Sequence, residues 1–182
     1  KESSLYRILA DRFVQNATDK TNGQIYQEIY SILSHSYRNE YFYKNTLLNK
    51  LLIGVHSVNT TTALTEMPIA LSKADFVLIN GKGVVYEIKT ELDNLERLSN
   101  QILDYYKAFD HVAVVSYFGN LKAIENIINE LQLPVGIYLL QQNCSLRTIK
   151  KPEKFSAYLD KSVLFQALRK NEYESILVSV YK

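Results

Sequence analysis

A single mixed α/β domain is the fold class this sequence predicts, and three observations carry it. Residues 73–89 hold two runs rich in apolar and β-branched residues around Asn80-Gly81-Lys82, a hairpin signature. Helix-period apolar positions precede that hairpin over residues 37–53. They recur over residues 93–109, directly ahead of the apolar run 111–117. The order helix, three strands, helix, strand requires a parallel crossover between the third and fourth strands.

The chain of 182 residues, 47% hydrophobic, is long enough for one domain with a sizeable core. We expect residues 1–36 as a helical extension, 37–118 as the core, and 119–182 as C-terminal additions to the same domain. A formal charge of +2 excludes a generally polybasic coat and leaves a local basic patch open. The single cysteine, Cys144, excludes an intramolecular disulfide framework and fits a reducing compartment. No apolar run is long enough to span a bilayer, so the sequence reads as a soluble, cytoplasmic protein with no membrane partner. The chain opens on Lys1 rather than Met, which leaves open both a trimmed start and a removed leader.

In chain order, Leu5, Ile8 and Leu9, then Ile25, Ile29, Ile32 and Leu33, predict two helices with a polar break over residues 16–23. Over residues 37–53 the apolar side is read as Tyr41, Leu47, Leu48, Leu51 and Leu52, with Gly54 near the stop. Residues 63–70 read as a short strand which Pro68 assigns to an edge. On the helix over residues 93–109, Leu95, Leu98, Ile102, Tyr105 and Phe109 share one side. A further helix over residues 121–131, a strand over 135–140, and a closing helix with an apolar tail over 162–180 complete the expectation. The fourteen tyrosines are expected at core edges with solvated hydroxyls, rather than as base-stacking platforms.

The hairpin carries the first functional clue. With Asn80 to Lys82 as the loop, Ile79 pairs with Gly83 and Asp75 falls opposite Glu87, while the two-residue period brings Lys89 to the same face. Buried charges are costly unless paired or bound to a metal. An acid, a second acid and a lysine on one face of a core hairpin therefore form either a solvated ion-pair cluster or a site.

The spacing Asp75, eleven residues, Glu87-Ile88-Lys89 resembles the signature of the PD-(D/E)XK nuclease superfamily, with Lys73-Ala74-Asp75 in place of the literal prolyl-aspartate. Gln101 and Tyr105 extend the resemblance as the Gln-x-x-x-Tyr pattern of the subgroup related to bacterial recombination exonucleases. Residues 38–175 are also similar to a family of small stand-alone bacterial and phage-borne members of that superfamily.

The resemblance implies a restriction-endonuclease-like core with extra N- and C-terminal helices. It also implies hydrolysis of phosphodiester bonds in nucleic acid, with DNA the expected substrate. In that reading Asp75 and Glu87 bind Mg²⁺ or Mn²⁺ together with the Ile88 carbonyl, and Glu40 on the first core helix is the candidate for a further acid. Lys89 orients or deprotonates the attacking water, or stabilises the transition-state charge. Gln101 and Tyr105, one helical turn apart, position the site. Glu66 and Glu91 read as ordinary solvated acids outside it. His35, His56 and His111 lack zinc-ligand spacing, and Gly81-Lys82-Gly83 reads as a turn rather than a phosphate loop. The alternatives are a non-catalytic nucleic-acid- or protein-binding module on the same fold, and a regulator that uses the fold as scaffold.

Overall fold

The computed structural model of the chain describes residues 2–36, 38–53, 60–168 and 170–181. Six strands form one sheet in sequence order: β1 (Thr62–Ile69), β2 (Ser72–Asn80), β3 (Lys82–Lys89), β4 (His111–Ser116), β5 (Gly136–Leu140) and β6 (Leu146–Lys150). β1, β2 and β3 are antiparallel neighbours, β3, β4 and β5 are parallel, and β6 returns antiparallel to β5. The helices are α1 (Glu2–Phe13), α2 (Asn22–Ser36), α3 (Glu40–Leu47), α4 (Leu98–Tyr105), α5 (Leu121–Leu131), α6 (Lys161–Gln166) and α7 (Lys170–Val180). The core order is thus α3, β1 to β3, α4, β4, as the apolar periods predict. β6 was not anticipated.

The hairpin register is the expected one, with Ile79 opposite Gly83, and Gly81 supplies the left-handed turn residue at φ 68°. Alternation then sorts the side chains. Phe76, Leu78, Val84, Tyr86 and Ile88 pack with Phe42, Tyr43 and Leu47 of α3. Val77, Val85, Val112 and Val114 pack with Leu98, Ile102 and Tyr105 of α4 and Ile124 and Ile128 of α5. Both faces of β3 and β4 are covered, so these strands are buried along almost their whole length, as parallel strands must be.

Several elements differ from the expectation. α4 starts at Leu98 instead of residue 93, because Asp93 turns its carboxylate back onto the Thr90 N–H and hydroxyl (2.8 and 2.7 Å) and holds the approach as a turn. α3 starts at Glu40, where the Asn39 side chain caps it by accepting from the Phe42 N–H at 3.0 Å, and gives way to a π-helical segment, Leu48–Ile53. Its buried side is Phe42, Tyr43 and Leu47, whereas Tyr41 is exposed. The closing helix is two short helices, α6 and α7, and the apolar side chains of α7 belong to no core cluster. At the N-terminus Ala10, Val14 and Ile25 form a small separate cluster, while Ile8 and Ile32 face outward. Gly54 and His56 lie outside the described residues, as do the side chains of Leu5, Leu9, His35 and Leu52. Tyr43, Tyr105 and Tyr106 are core residues in full, so packing takes more of the tyrosines than core edges alone.

Candidate active site

Asp75 stands where strand pairing stops. The β2–β3 ladder ends at Phe76–Tyr86, and the β1–β2 ladder pairs Thr65 with Phe76 and Met67 with Ala74, leaving Glu66 and Asp75 opposite one another and unpaired. Glu66 there adopts φ 57°, uncommon for a residue with a Cβ and a recurrent mark of functional sites. Past the end of the hairpin ladder, the Ile88 N–H donates to Asp75 Oδ2 at 2.8 Å. Registers on both sides therefore align Glu66, Asp75 and Glu87 at one level of three adjacent strands.

Glu87 and Lys89 are held in the interior beside them, 1% and 8% exposed, which rules out an ordinary solvated ion pair. Lys89 Nζ donates to Glu87 Oε1 at 2.8 Å and to Gln101 Oε1 at 2.9 Å. The Tyr105 hydroxyl reaches Glu87 Oε2 and the Lys73 carbonyl, the latter at 2.9 Å. α4 is what brings Gln101 and Tyr105 over β3, and it is tied down at the far side where the Ser72 hydroxyl donates to Asp104 Oδ2 at 2.7 Å. The end of β3 is fixed as well, by the Ser116 hydroxyl donating to the Lys89 carbonyl at 2.6 Å.

A second group lies on the other side of Asp75. Glu40, Glu66 and Asp75 bring carboxylate oxygens within 4.8 Å of one another, from α3, β1 and β2. Lys44 pairs with both Glu40 and Glu66, and Lys73 with Glu66. Burial and then the Glu87 charge raise the Asp75 carboxyl to about 7, against the opposing pull of the Ile88 N–H and Lys44. Burial raises Glu87 too, although Lys89, Tyr105 and Gln101 all oppose it. Glu66 goes the other way, held below the ordinary range by its bonds to Lys44 and Lys73. Burial disfavours the Lys44 ammonium, but Glu40, Glu66 and the Asp75 charge outweigh it and raise its pKa.

All five residues of the expected motif, Asp75, Glu87, Lys89, Gln101 and Tyr105, are thus brought together, and Glu40 joins from α3. Glu66, read as an ordinary solvated acid outside the site, is exposed, and its carboxylate stands in that group. Glu87, expected as a cation ligand beside Asp75, accepts from Lys89 through one carboxylate oxygen and from Tyr105 through the other. Ile88 enters the site through its N–H. The group fits a hard divalent cation, since it offers several carboxylate oxygens from separate elements around a carboxyl that burial and a neighbouring charge leave short of compensation.

Fold and site together define a mixed α/β protein whose sheet centre carries a buried acid–lysine pair beside a convergent carboxylate group. The family described as Bacteriophage P4 protein cII matches residues 34–182, and the chain belongs to that family. It is similar to Protein cII of Enterobacteria phage P4, 27% identical over 124 residues. That match takes in 66% of this chain and 46% of the relative, so the chain spans less than half the length of the curated protein it matches. Among the described residues no helix is long and apolar enough to cross a membrane.

Proposed function

We propose that this chain is a divalent-metal-dependent nuclease of the PD-(D/E)XK type, hydrolysing phosphodiester bonds in nucleic acid, with DNA as substrate. The observation that carries the reading is the buried Lys89 ammonium, fixed between Glu87 and Gln101 within one strand register of Asp75. Burying such a pair costs several kcal/mol of desolvation, on the order of what good geometry repays, so a structural role alone accounts poorly for it. The element order α3, β1 to β3, α4, β4 supports the same reading.

In this reading Asp75, with Glu40 and Glu66, holds Mg²⁺ or Mn²⁺. The ion, when bound, supplies charge for the phosphoryl oxygens and a water of lowered pKa. Lys89 has three N–H donors, two of them directed at Glu87 and Gln101. The third serves the attacking water or a phosphate oxygen. Gln101 and Tyr105 hold Lys89 and Glu87 in place, the latter from the centre of the core. For a cation to be held there, Lys44 would have to give up its pairs with Glu40 and Glu66.

One observation favours a second reading. Lys44 and Lys73 already pair with the carboxylates, and as permanent counter-ions they would make this a non-catalytic module that binds nucleic acid or a protein on the same scaffold. Fluorogenic single- and double-stranded DNA and RNA substrates, incubated with and without Mn²⁺, separate the two. Metal-dependent cleavage lost in Lys89→Met supports the nuclease. Binding without cleavage across the whole panel supports the module.

A further inference from the structure

The structure holds a second feature at the same end of the sheet. Beyond the carboxyl ends of β3, β4 and β5, the edge at which open α/β sheets take ligands, lies a cavity of 470 Å³ bounded by Arg38, Glu91, Phe118, Gln141 and Arg147 among others. Arg38 is 7% exposed. Its guanidinium is fixed by donating to the Leu140 and Gln141 carbonyls (2.9 and 3.1 Å) and by lying over the Phe42 and Tyr43 rings. Its Nε is buried with no hydrogen-bond partner. Its Nη1 meets Glu91 only loosely, at 3.8 Å.

Arg147, across from Leu139 on β6, lines the same cavity and has no ion-pair partner among the described residues. The balance on the lining is therefore two guanidinium groups against one carboxylate. On the rim Phe118 is 76% exposed, an aromatic face with no packing role. Gly119 follows it, where an added Cβ would press on the Tyr117 ring.

We propose that this cavity seats one nucleotide unit of a nucleic-acid strand, its phosphate on Arg38 and Arg147 and its base against Phe118. Guanidinium groups recognise phosphate with geometric specificity, and an exposed aromatic ring stacks any base. The proposal rests on the nucleic-acid reading above and not on the cleavage step. It assigns the strand a path from the acid–lysine site along the end of β3, where Lys89 and Glu91 are two residues apart.

The test is the anisotropy of a short labelled single-stranded oligonucleotide on the parent, Arg147→Glu and Phe118→Ala proteins, in chelator so that no strand is cut. Neither substituted residue is buried, so both variants are expected to fold, and circular dichroism checks it. Each variant should bind about tenfold more weakly or worse. A deoxynucleoside monophosphate should displace the oligonucleotide at far lower concentration than inorganic phosphate does. Parent-like affinity in both variants overturns the proposal, as do equal competition by the two small anions, binding of the monophosphate alone, and no binding by the parent. Failure of the two readings is separable. A parent that binds through Arg147 and Phe118 but never cuts in Mn²⁺ removes the nuclease and keeps the pocket, whereas cleavage by a parent whose variants bind equally removes the pocket alone.

Discussion

The Asp75 carboxylate holds the Ile88 backbone N–H at 2.8 Å, past the point where the β2–β3 ladder has ended at Phe76–Tyr86. A side chain does there what a strand partner does elsewhere, while on its other side Asp75 faces Glu66 of β1 and Glu40 of α3.

The raised Asp75 carboxyl makes stability depend on pH with a definite sign. Its folded value of about 7 lies above the unfolded value of about 4, so the folded chain binds more protons across that window. The contribution of Asp75 to metal-free stability should be fully present below about 4, fall as pH rises toward 7, and be lost above it, against the opposite sign of Glu66, whose carboxyl is held low. Glu87, raised by burial, adds to the same slope. Asp75→Asn should flatten the slope and melt about 2–4 °C above the parent at pH 8 in chelator. Thermal melts across pH check this, and a variant that melts lower at pH 8 with an unchanged slope opposes it.

Lys89 and Glu87 should separate stability from chemistry. Lys89→Met leaves Glu87 buried without its cation, a loss of about 3–5 kcal/mol in denaturant titrations. Adding Glu87→Gln should recover most of that loss, since the orphaned charge is gone. Cleavage should stay reduced by about a hundredfold or more in both proteins. Recovery of cleavage along with stability would make the pair structural.

Much of this was legible in the chain. Asn80-Gly81-Lys82 fixed the turn, the turn fixed the register, and the register brought Asp75, Glu87 and Lys89 together before any packing was known. Glu66 was missed although the same count finds it: the turn at residues 70 and 71 pairs Ile69 with Ser72, and stepping back three residues on each side meets Glu66 and Asp75. Reading Pro68 as the mark of an edge strand directed attention away from that neighbour. The roles of Lys44 and Arg38 were not legible, because both depend on how α3 lies over the sheet, a tertiary fact that helical periodicity does not carry. The late start of α4 reflects local side-chain bonds, Asp93 to Thr90, that compete with helical pairing.

Gln101 and Tyr105 differ in depth and should differ in effect. Gln101→Ala removes one acceptor from Lys89 and should lower turnover by about tenfold, less than Lys89→Met, without unfolding the protein. Tyr105→Phe removes a hydroxyl from a fully buried ring and should cost about 1–3 kcal/mol of stability as well. Equal losses of turnover in Gln101→Ala and Lys89→Met would give Gln101 a part in the chemical step.

Lys44 decides between a displaceable ammonium and a permanent one. Lys44→Met should destabilise the metal-free protein, since Glu40 and Glu66 lose their shared partner. In saturating Mn²⁺ it should gain more than the parent gains, because no ammonium has to leave. Equal gains in a metal titration would mean that the cation does not enter at Lys44.

The central claim is that Asp75 anchors a divalent-cation site, and melting temperatures of the parent and Asp75→Asn through a Mn²⁺ titration test it without the right substrate in hand. The parent should gain about 2.7 kcal/mol when Mn²⁺ reaches a hundredfold excess over its Kd, and Asp75→Asn much less. A destabilised Asp75→Asn whose response to Mn²⁺ equals the parent's would contradict the account.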